Sequence, residues 1–249
     1  MQNPTAAILI IGNEVLSGRT QDTNINFIAK RLSTIGICLK EVRVIPDLEA
    51  MIINSAQSLA NTYDYLFTTG GIGATHDDIT AASIAKAFNR DLIIDKTAEQ
   101  ILRDYYQERI NETRLRMARV PERAQLISNP VSGAPGFQVE NVFCLAGVPK
   151  VMQAMFDTLI PKLRTGQPYY SKTVKSSVFE NDIAQDLEGI QNQFQQVDIG
   201  SYPSFLPGGR FGVSLVVRGT DQNIITQAVN AICAMITHRG HTLEIEESK

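Results

Sequence analysis

The run Thr68-Thr69-Gly70-Gly71-Ile72-Gly73-Ala74-Thr75-His76-Asp77-Asp78 brings three kinds of chemistry together. Glycines at 70, 71 and 73 let backbone N–H groups turn towards an anion such as a phosphate, and Thr75 adds a hydroxyl. A helix starting just beyond would add its dipole to the same anion. Asp77 and Asp78 would repel a phosphate bound alone, and a divalent cation (magnesium, manganese or cobalt) between them and the phosphate removes the conflict. As plain N-cap residues, the same two acids need no ligand. His76 is the one histidine outside the C-terminal tail. It is read either as a proton shuttle or as a hydrogen-bonding spacer in a loop. The spacing matches neither the Walker loop nor the dinucleotide fingerprint.

Other loops offer further candidates. Gly12-Asn13-Glu14 follows an apolar stretch, with Glu14 read either as a solvated loop acid or as facing the same cleft, where it could join the metal. Asp47 follows Pro46, either as part of the ligand site or as a helix N-cap. Thr23-Asn24 opens a helix and reads first as capping. Gly133 and Gly136 lie in Ser132-Gly133-Ala134-Pro135-Gly136, a possible second phosphate cradle. Gly147 lies in a third, Ala146-Gly147-Val148-Pro149. Arg103, Arg109, Arg114, Arg116, Arg119 and Arg123 read as a solvated face from which one guanidinium could fork onto a phosphate.

These loops need strands to hold them. Residues 6–11 form a short continuous apolar run, as in a buried parallel strand. Ile25, Ile28, Leu32 and Ile35 recur at helical spacing, and Gly36 follows as a C-cap. Strands are expected at 42–45 and 65–68, helices at 47–60 and 78–88, and one or two more helices within 96–120. Short strands follow at 125–127, 136–139 and 142–145. A helix then opens on Pro149, a favoured first position. Repeated βα units argue for a mainly parallel sheet with helices on both faces. Arg164-Thr165-Gly166-Gln167-Pro168 reads as a linker. Beyond it the order is strand 171–178, a helix carrying Ile183, Leu187, Ile190 and Phe194, strand 197–202, a turn at Pro207-Gly208-Gly209, an alternating strand 211–217 and a last helix. We therefore expect an α/β domain over 1–165 and a small α+β βαββα domain over 169–240, with a frayed charged tail from residue 238.

Composition narrows the function. Of the 249 residues, 43% are hydrophobic and 20% charged, which excludes disorder for the bulk of the chain. A net charge of -3 with no basic groove argues against nucleic acid as a partner. Cys38, Cys144 and Cys233 are widely spaced among apolar neighbours, as reduced thiols are. No run reaches the roughly 18 apolar residues of a membrane span, and the N-terminus lacks signal-peptide grammar. A cytoplasmic protein without membrane contact is expected.

The run GGIGATHDDIT, with Gly12-Asn13-Glu14, Thr23-Asn24, Asp47, Val120-Pro121-Glu122 and Gly133-Ala134-Pro135-Gly136, resembles the MoaB/Mog molybdopterin-binding superfamily. Within it, the chain is similar to the N-terminal part of CinA-type proteins, without their amide-hydrolysing domain. The resemblance implies a three-layer αβα fold, a dimer or trimer, and a KH-like label for the smaller domain. It also implies a nucleotide or molybdopterin pyrophosphate as ligand. The family's usual Pro-Gly-x-Pro loop appears here as Ala146-Gly147-Val148-Pro149. Three readings stay open. One is a metal-dependent pyrophosphatase on ADP-ribose- or FAD-like dinucleotides. The second is a molybdopterin-binding protein of cofactor biosynthesis. The third is a non-catalytic nucleotide-binding module.

Overall fold

A computed structural model describes residues 3–206 and 210–247, so the Pro207-Gly208-Gly209 turn lies outside the described residues. The chain divides into two compact units, Met1–Gly166 and Gln167–Lys249.

The first unit opens with β1 (Thr5–Ile11), α1 (Asn13–Leu16), α2 (Asn24–Thr34), β2 (Cys38–Ile45), α3 (Glu49–Thr62), β3 (Tyr65–Thr69) and α4 (Thr80–Ala87). It continues through β4 (Leu92–Ile94), α5 (Lys96–Tyr106), α6 (Glu112–Leu115), β5 (Arg119–Pro121), β6 (Gln125–Ile127), β7 (Gly136–Val139), β8 (Val142–Leu145) and α7 (Pro149–Leu159). The main sheet has the order β2-β1-β3-β8-β7-β6. Its first three pairings are parallel and the last two antiparallel.

The continuous apolar run of β1 is explained by its central place. Because side chains alternate along a strand, Ala6, Ile8 and Ile10 join Ile28 and Leu32 of α2 and Met152, Met155 and Phe156 of α7. Ala7, Leu9 and Ile11 join Ile52, Ala56 and Leu59 of α3 and Ile84 of α4. Each large side chain so buried contributes roughly 1.5–3 kcal/mol. The result is three layers, with a core on each face of the sheet.

The strand order also places the site. The chain leaves β1 towards β2 on one side, while β3 lies on the other side. Loops at such a reversal point splay apart, and the crevice between them is where open α/β sheets bind ligands.

Several elements differ from the sequence expectation. β2 begins at Cys38, four residues early, because its first residues are only half-buried and lack an apolar run. The helix expected from 78 starts at Thr80, so Asp77 and Asp78 stay in the loop before it. β4 and β5 form an unexpected two-stranded antiparallel sheet, pairing Leu92 with Pro121 and Ile94 with Arg119.

The second unit contains β9 (Tyr170–Ser176), α8 (Glu180–Gln193), β10 (Asp198–Leu206), β11 (Arg210–Gly219), α9 (Gln222–His238) and β12 (Leu243–Glu247). They build an antiparallel sheet in the order β10-β11-β9-β12. Val174, Val213, Leu215 and Val217 face Ile183 of α8 and Ile225, Val229, Ile232 and Ile236 of α9. The tail corrects the expectation of fraying. β12 pairs antiparallel with β9, with Ile245 opposite Val174, and Lys175 and Glu246 form an ion pair at 2.6 Å. No helix among the described residues is long and apolar enough to cross a membrane.

Candidate functional site

Four loops at the carboxyl edge of the parallel strands meet around a pocket of about 500 Å³. The loop after β1 contributes Glu14 and Thr20, and the loop after β2 contributes Asp47. The loop after β3 supplies Gly70, Gly71, Gly73, Asp77 and Asp78, and the loop after β8 supplies Ala146 to Pro149. Met117, Asn129, Ser132 and Ala134 line the remaining wall.

Two of these glycines are required by geometry. Gly70 has φ +102°, and a Cβ there would lie 2.1 Å from the carbonyl oxygen of Ile11. Gly71 has φ +65°, and a Cβ there would meet Thr80 Oγ1 at 2.3 Å. Side chains disfavour this left-handed backbone, whereas glycine accepts it freely. The turn is locked from both sides. Gly70 N–H donates to Leu145 O, extending the β3–β8 ladder. The buried Thr80 hydroxyl donates to Gly70 O at 2.9 Å, and Thr80 N–H donates to Gly71 O at 3.0 Å.

Side chains then tie neighbouring loops together. Asp47 does not cap α3, whose N-cap is Leu48. Its carboxylate instead accepts from Asn13 N–H at 2.9 Å, joining the loops after β1 and β2. Asn24 is 3% exposed, and its Nδ2 donates to Gly147 O at 2.8 Å. Asp22, rather than Thr23, caps α2 by accepting from Ile25 N–H. Asn24 and Thr80 carry more of the positioning than the sequence suggested. A polar residue recurring on an otherwise apolar helix face is the signal that marks them.

The acidic pair is held from its own loop. Thr75 N–H donates to Asp78 Oδ2 at 2.8 Å. The Thr75 hydroxyl lies 2.5 Å from Asp77 Oδ1 and 2.5 Å from Asp78 Oδ2. The Thr75 hydroxyl, then the Asp77 backbone N–H and more weakly His76, hold the Asp77 carboxyl below its ordinary value. His76 is almost fully exposed, with Nδ1 4.0 Å from Asp77 Oδ1. Among the described residues, no three acidic, histidine or cysteine side chains converge as a ready-made metal cage.

Some candidates are not on the pocket wall. Gly12 and Asn13 stand behind it, with Gly12 N–H donating to Ile45 O. Gly133 turns at φ +74° against the Tyr105 ring. Gly136 sits inside β7, where a Cβ would lie 2.3 Å from Cys144 O and 2.5 Å from Met155 Cε. Close packing accounts for both glycines. Asn129 shapes this loop: its Nδ2 donates to Ser132 Oγ and Ala134 O, while its Oδ1 accepts from Val131 and Ser132 N–H. Cys144 and Cys233 are free thiols. Burial pushes Cys144 up to about 12, so it is no nucleophile.

Comparison with known proteins bears on both units. Residues 7–165 match the family described as "Probable molybdopterin binding domain", and residues 168–242 match "FAD synthase, middle domain". A protein of Archaeoglobus fulgidus is 36% identical over 223 residues, covering 89% of this chain and 93% of its own length. A probable FAD synthase of Caenorhabditis briggsae is 33% identical and covers 81% of this chain, which spans only 44% of that enzyme. The crystal structure of the protein CinA from Thermoplasma acidophilum, described there as of unknown function, superposes with a TM-score of 0.61 at 33% identity. It covers 65% of this chain and 99% of its own.

Proposed function

The chain belongs to the probable molybdopterin binding domain family, and on that premise we propose that its first unit binds and hydrolyses an ADP-ribose- or FAD-like dinucleotide with a divalent cation. The observation that carries this reading is one pocket walled by both the glycine turn and four carboxylates, Glu14, Asp47, Asp77 and Asp78. In this proposal Gly70, Gly71 and Gly73 hold the pyrophosphate, whereas Thr75, expected from the sequence to bind it, lies off the pocket wall with its N–H and hydroxyl engaged by Asp77 and Asp78.

The donor set suits a hard cation. All the acidic groups on the pocket offer oxygen, the ligand type that magnesium and manganese favour. Magnesium is commonly held by one or two carboxylates, with substrate phosphates and water completing its shell. Asp77, Asp78 and Glu14 would hold it, and it would supply charge to the phosphoryl oxygens and acidify a water. Thr75 orients Asp77 and Asp78. His76 lies off this pocket, on an adjoining cavity, with Nδ1 4.0 Å from Asp77 Oδ1; it would move a proton only by way of Asp77 or water.

The family description favours a second reading, a molybdopterin ligand bound at the same turn. Product analysis separates the two. The protein is incubated with ADP-ribose, FAD and NAD, with and without magnesium, manganese or cobalt, beside Asp78→Asn. Metal-dependent release of AMP that is lost in the variant is expected. No turnover with any metal would overturn hydrolysis, and a fluorescent pterin bound to the purified protein would then decide for the second reading.

A further inference from the structure

The main sheet of the first unit ends on β2 at one side and β6 at the other. β6 is three residues long, whereas β2 runs for eight. An edge strand offers unpaired N–H and C=O groups to any strand that can lie beside it, and proteins block such edges with charge, proline or bulges. The second unit blocks both of its own edges. On β10, Ile199 N–H donates to Gln191 Oε1 at 2.8 Å, and Pro203 has no N–H to offer. β12 carries Glu244 and Glu246. On β2 the register against β1 skips Lys40, but from Glu41 to Ile45 the pairing is regular and carries no proline.

The pairing with β1 decides which backbone groups are free. Gly12 N–H donates to Ile45 O, so Ile45 faces β1, and by alternation Arg43 and Glu41 face it as well. Val42 and Val44 therefore turn their N–H and C=O groups away from the sheet, where no described strand pairs with them. The side chains along this edge are partly apolar. Val42 keeps 38% of its surface exposed, and Leu48 and Met51 just beyond the strand keep 58% and 43%. Glu41 and Arg43 share one face of the strand, with Arg43 Nη2 2.7 Å from Glu41 Oε1.

The charges on this strand are self-complementary in one register. In an antiparallel pair, side chains directly opposite stand with Cβ atoms about 4.5–5.5 Å apart, so opposite charges there attract and like charges repel. A two-fold axis centred on Lys40, Glu41 or Arg43 sets that charge against its own copy. Centred on Val44, it leaves Arg43 against Ile45. Centred on Val42, it sets Glu41 of each chain against Arg43 of the other. We infer that β2 pairs antiparallel with β2 of a second copy of this chain about a two-fold axis at Val42, joining two six-stranded sheets into one. Val42 bonds Val42 across the axis, and Val44 bonds Lys40 on either side of it. Two glutamates and two arginines then alternate on one face of the seam. The paired strands run in opposite directions, so the two ligand pockets open on opposite edges of the joined sheet and each keeps its own residues. This holds whichever ligand the pocket takes.

Sedimentation equilibrium of the full chain over a wide range of concentration tests it, and a dimer is expected. Val42→Pro removes an N–H that β1 does not use, and an edge strand tolerates proline there. It should give a monomer with the native circular dichroism. Arg43→Glu sets like charges against each other and should raise the dimer dissociation constant about tenfold or more. Glu41→Arg/Arg43→Glu exchanges the two signs, keeps the register complementary and should restore the native constant. If Val42→Pro does not fold, the two charge variants decide. A chain that is monomeric at every concentration overturns the inference. So does an assembly of any size that Arg43→Glu leaves unchanged, or that the exchanged pair fails to restore.

Discussion

Thr75 has one hydroxyl proton and two carboxylate oxygens at 2.5 Å, so it stabilises the anionic form of Asp77 while crowding Asp78 against it. A carboxyl whose folded value is lowered contributes stability above its unfolded value. That contribution is lost as the pH falls through the lowered folded value. The Thr75–Asp77 contact is therefore kept at neutral pH and lost as Asp77 is protonated in acid. In Thr75→Val, carbon-detected NMR titration should show Asp77 moving up towards the ordinary carboxylate value. An unmoved Asp77 would show that the hydroxyl is not its partner. Gly70 tests the turn itself. Gly70→Ala meets a backbone carbonyl that cannot swing away, and the left-handed conformation alone costs about 1–3 kcal/mol for a residue with a Cβ. Urea unfolding should show at least that loss. An unchanged midpoint would mean that the turn tolerates a side chain.

At the scale of elements, the site depends on contacts between loops far apart in sequence. Asn24 at the start of α2 reaches Gly147 after β8, 123 residues away. Asn24→Ala leaves the Gly147 carbonyl without its buried donor and should cost about 1–3 kcal/mol. The glycine turn at Gly70 stands against Gly147, with 3.3 Å between Gly70 Cα and a Cβ built there. Ligand affinity should therefore fall too. Asp22→Ala is the control, since it removes only the α2 cap and should cost about 1 kcal/mol with affinity unchanged. Equal loss of affinity in both variants would refute the tie.

What the sequence revealed follows the same division. The parallel sheet was legible because β1 and the helices beside it carry their pattern locally. β4 and β5 were not, because three exposed residues at Leu92–Ile94 pair with a segment beginning only at Arg119. β12 was missed because its alternation, Leu-Glu-Ile-Glu, sits in a charged tail. The Gly70–Asp78 loop was readable from residue types. Gly136 was misleading, since a glycine packed under a carbonyl reads the same in sequence as one facing a ligand. Asp47 and Asn24 were seen as residues, but their partners were beyond any local signal.

At the scale of the molecule, the two units have separate cores. The sheet of the first is buried by α2 and α7 on one face and α3 and α4 on the other. That of the second is closed by α8 and α9 with its own set of branched apolar residues. A core that needs no side chain from outside its unit should form without the other unit. Residues 1–166 expressed alone should therefore fold, melt in a single transition and keep the ligand affinity of the full chain, because every pocket residue named lies within that range. Residues 167–249 should also fold, but with a lower melting temperature, since a smaller chain buries a smaller fraction of its surface. Calorimetry on the two fragments and the whole chain checks both points. A first fragment that folds but loses affinity would mean that the second unit contributes to binding. A first fragment that fails to fold would mean that its two-faced sheet needs the remainder of the chain, and that the units are not independent.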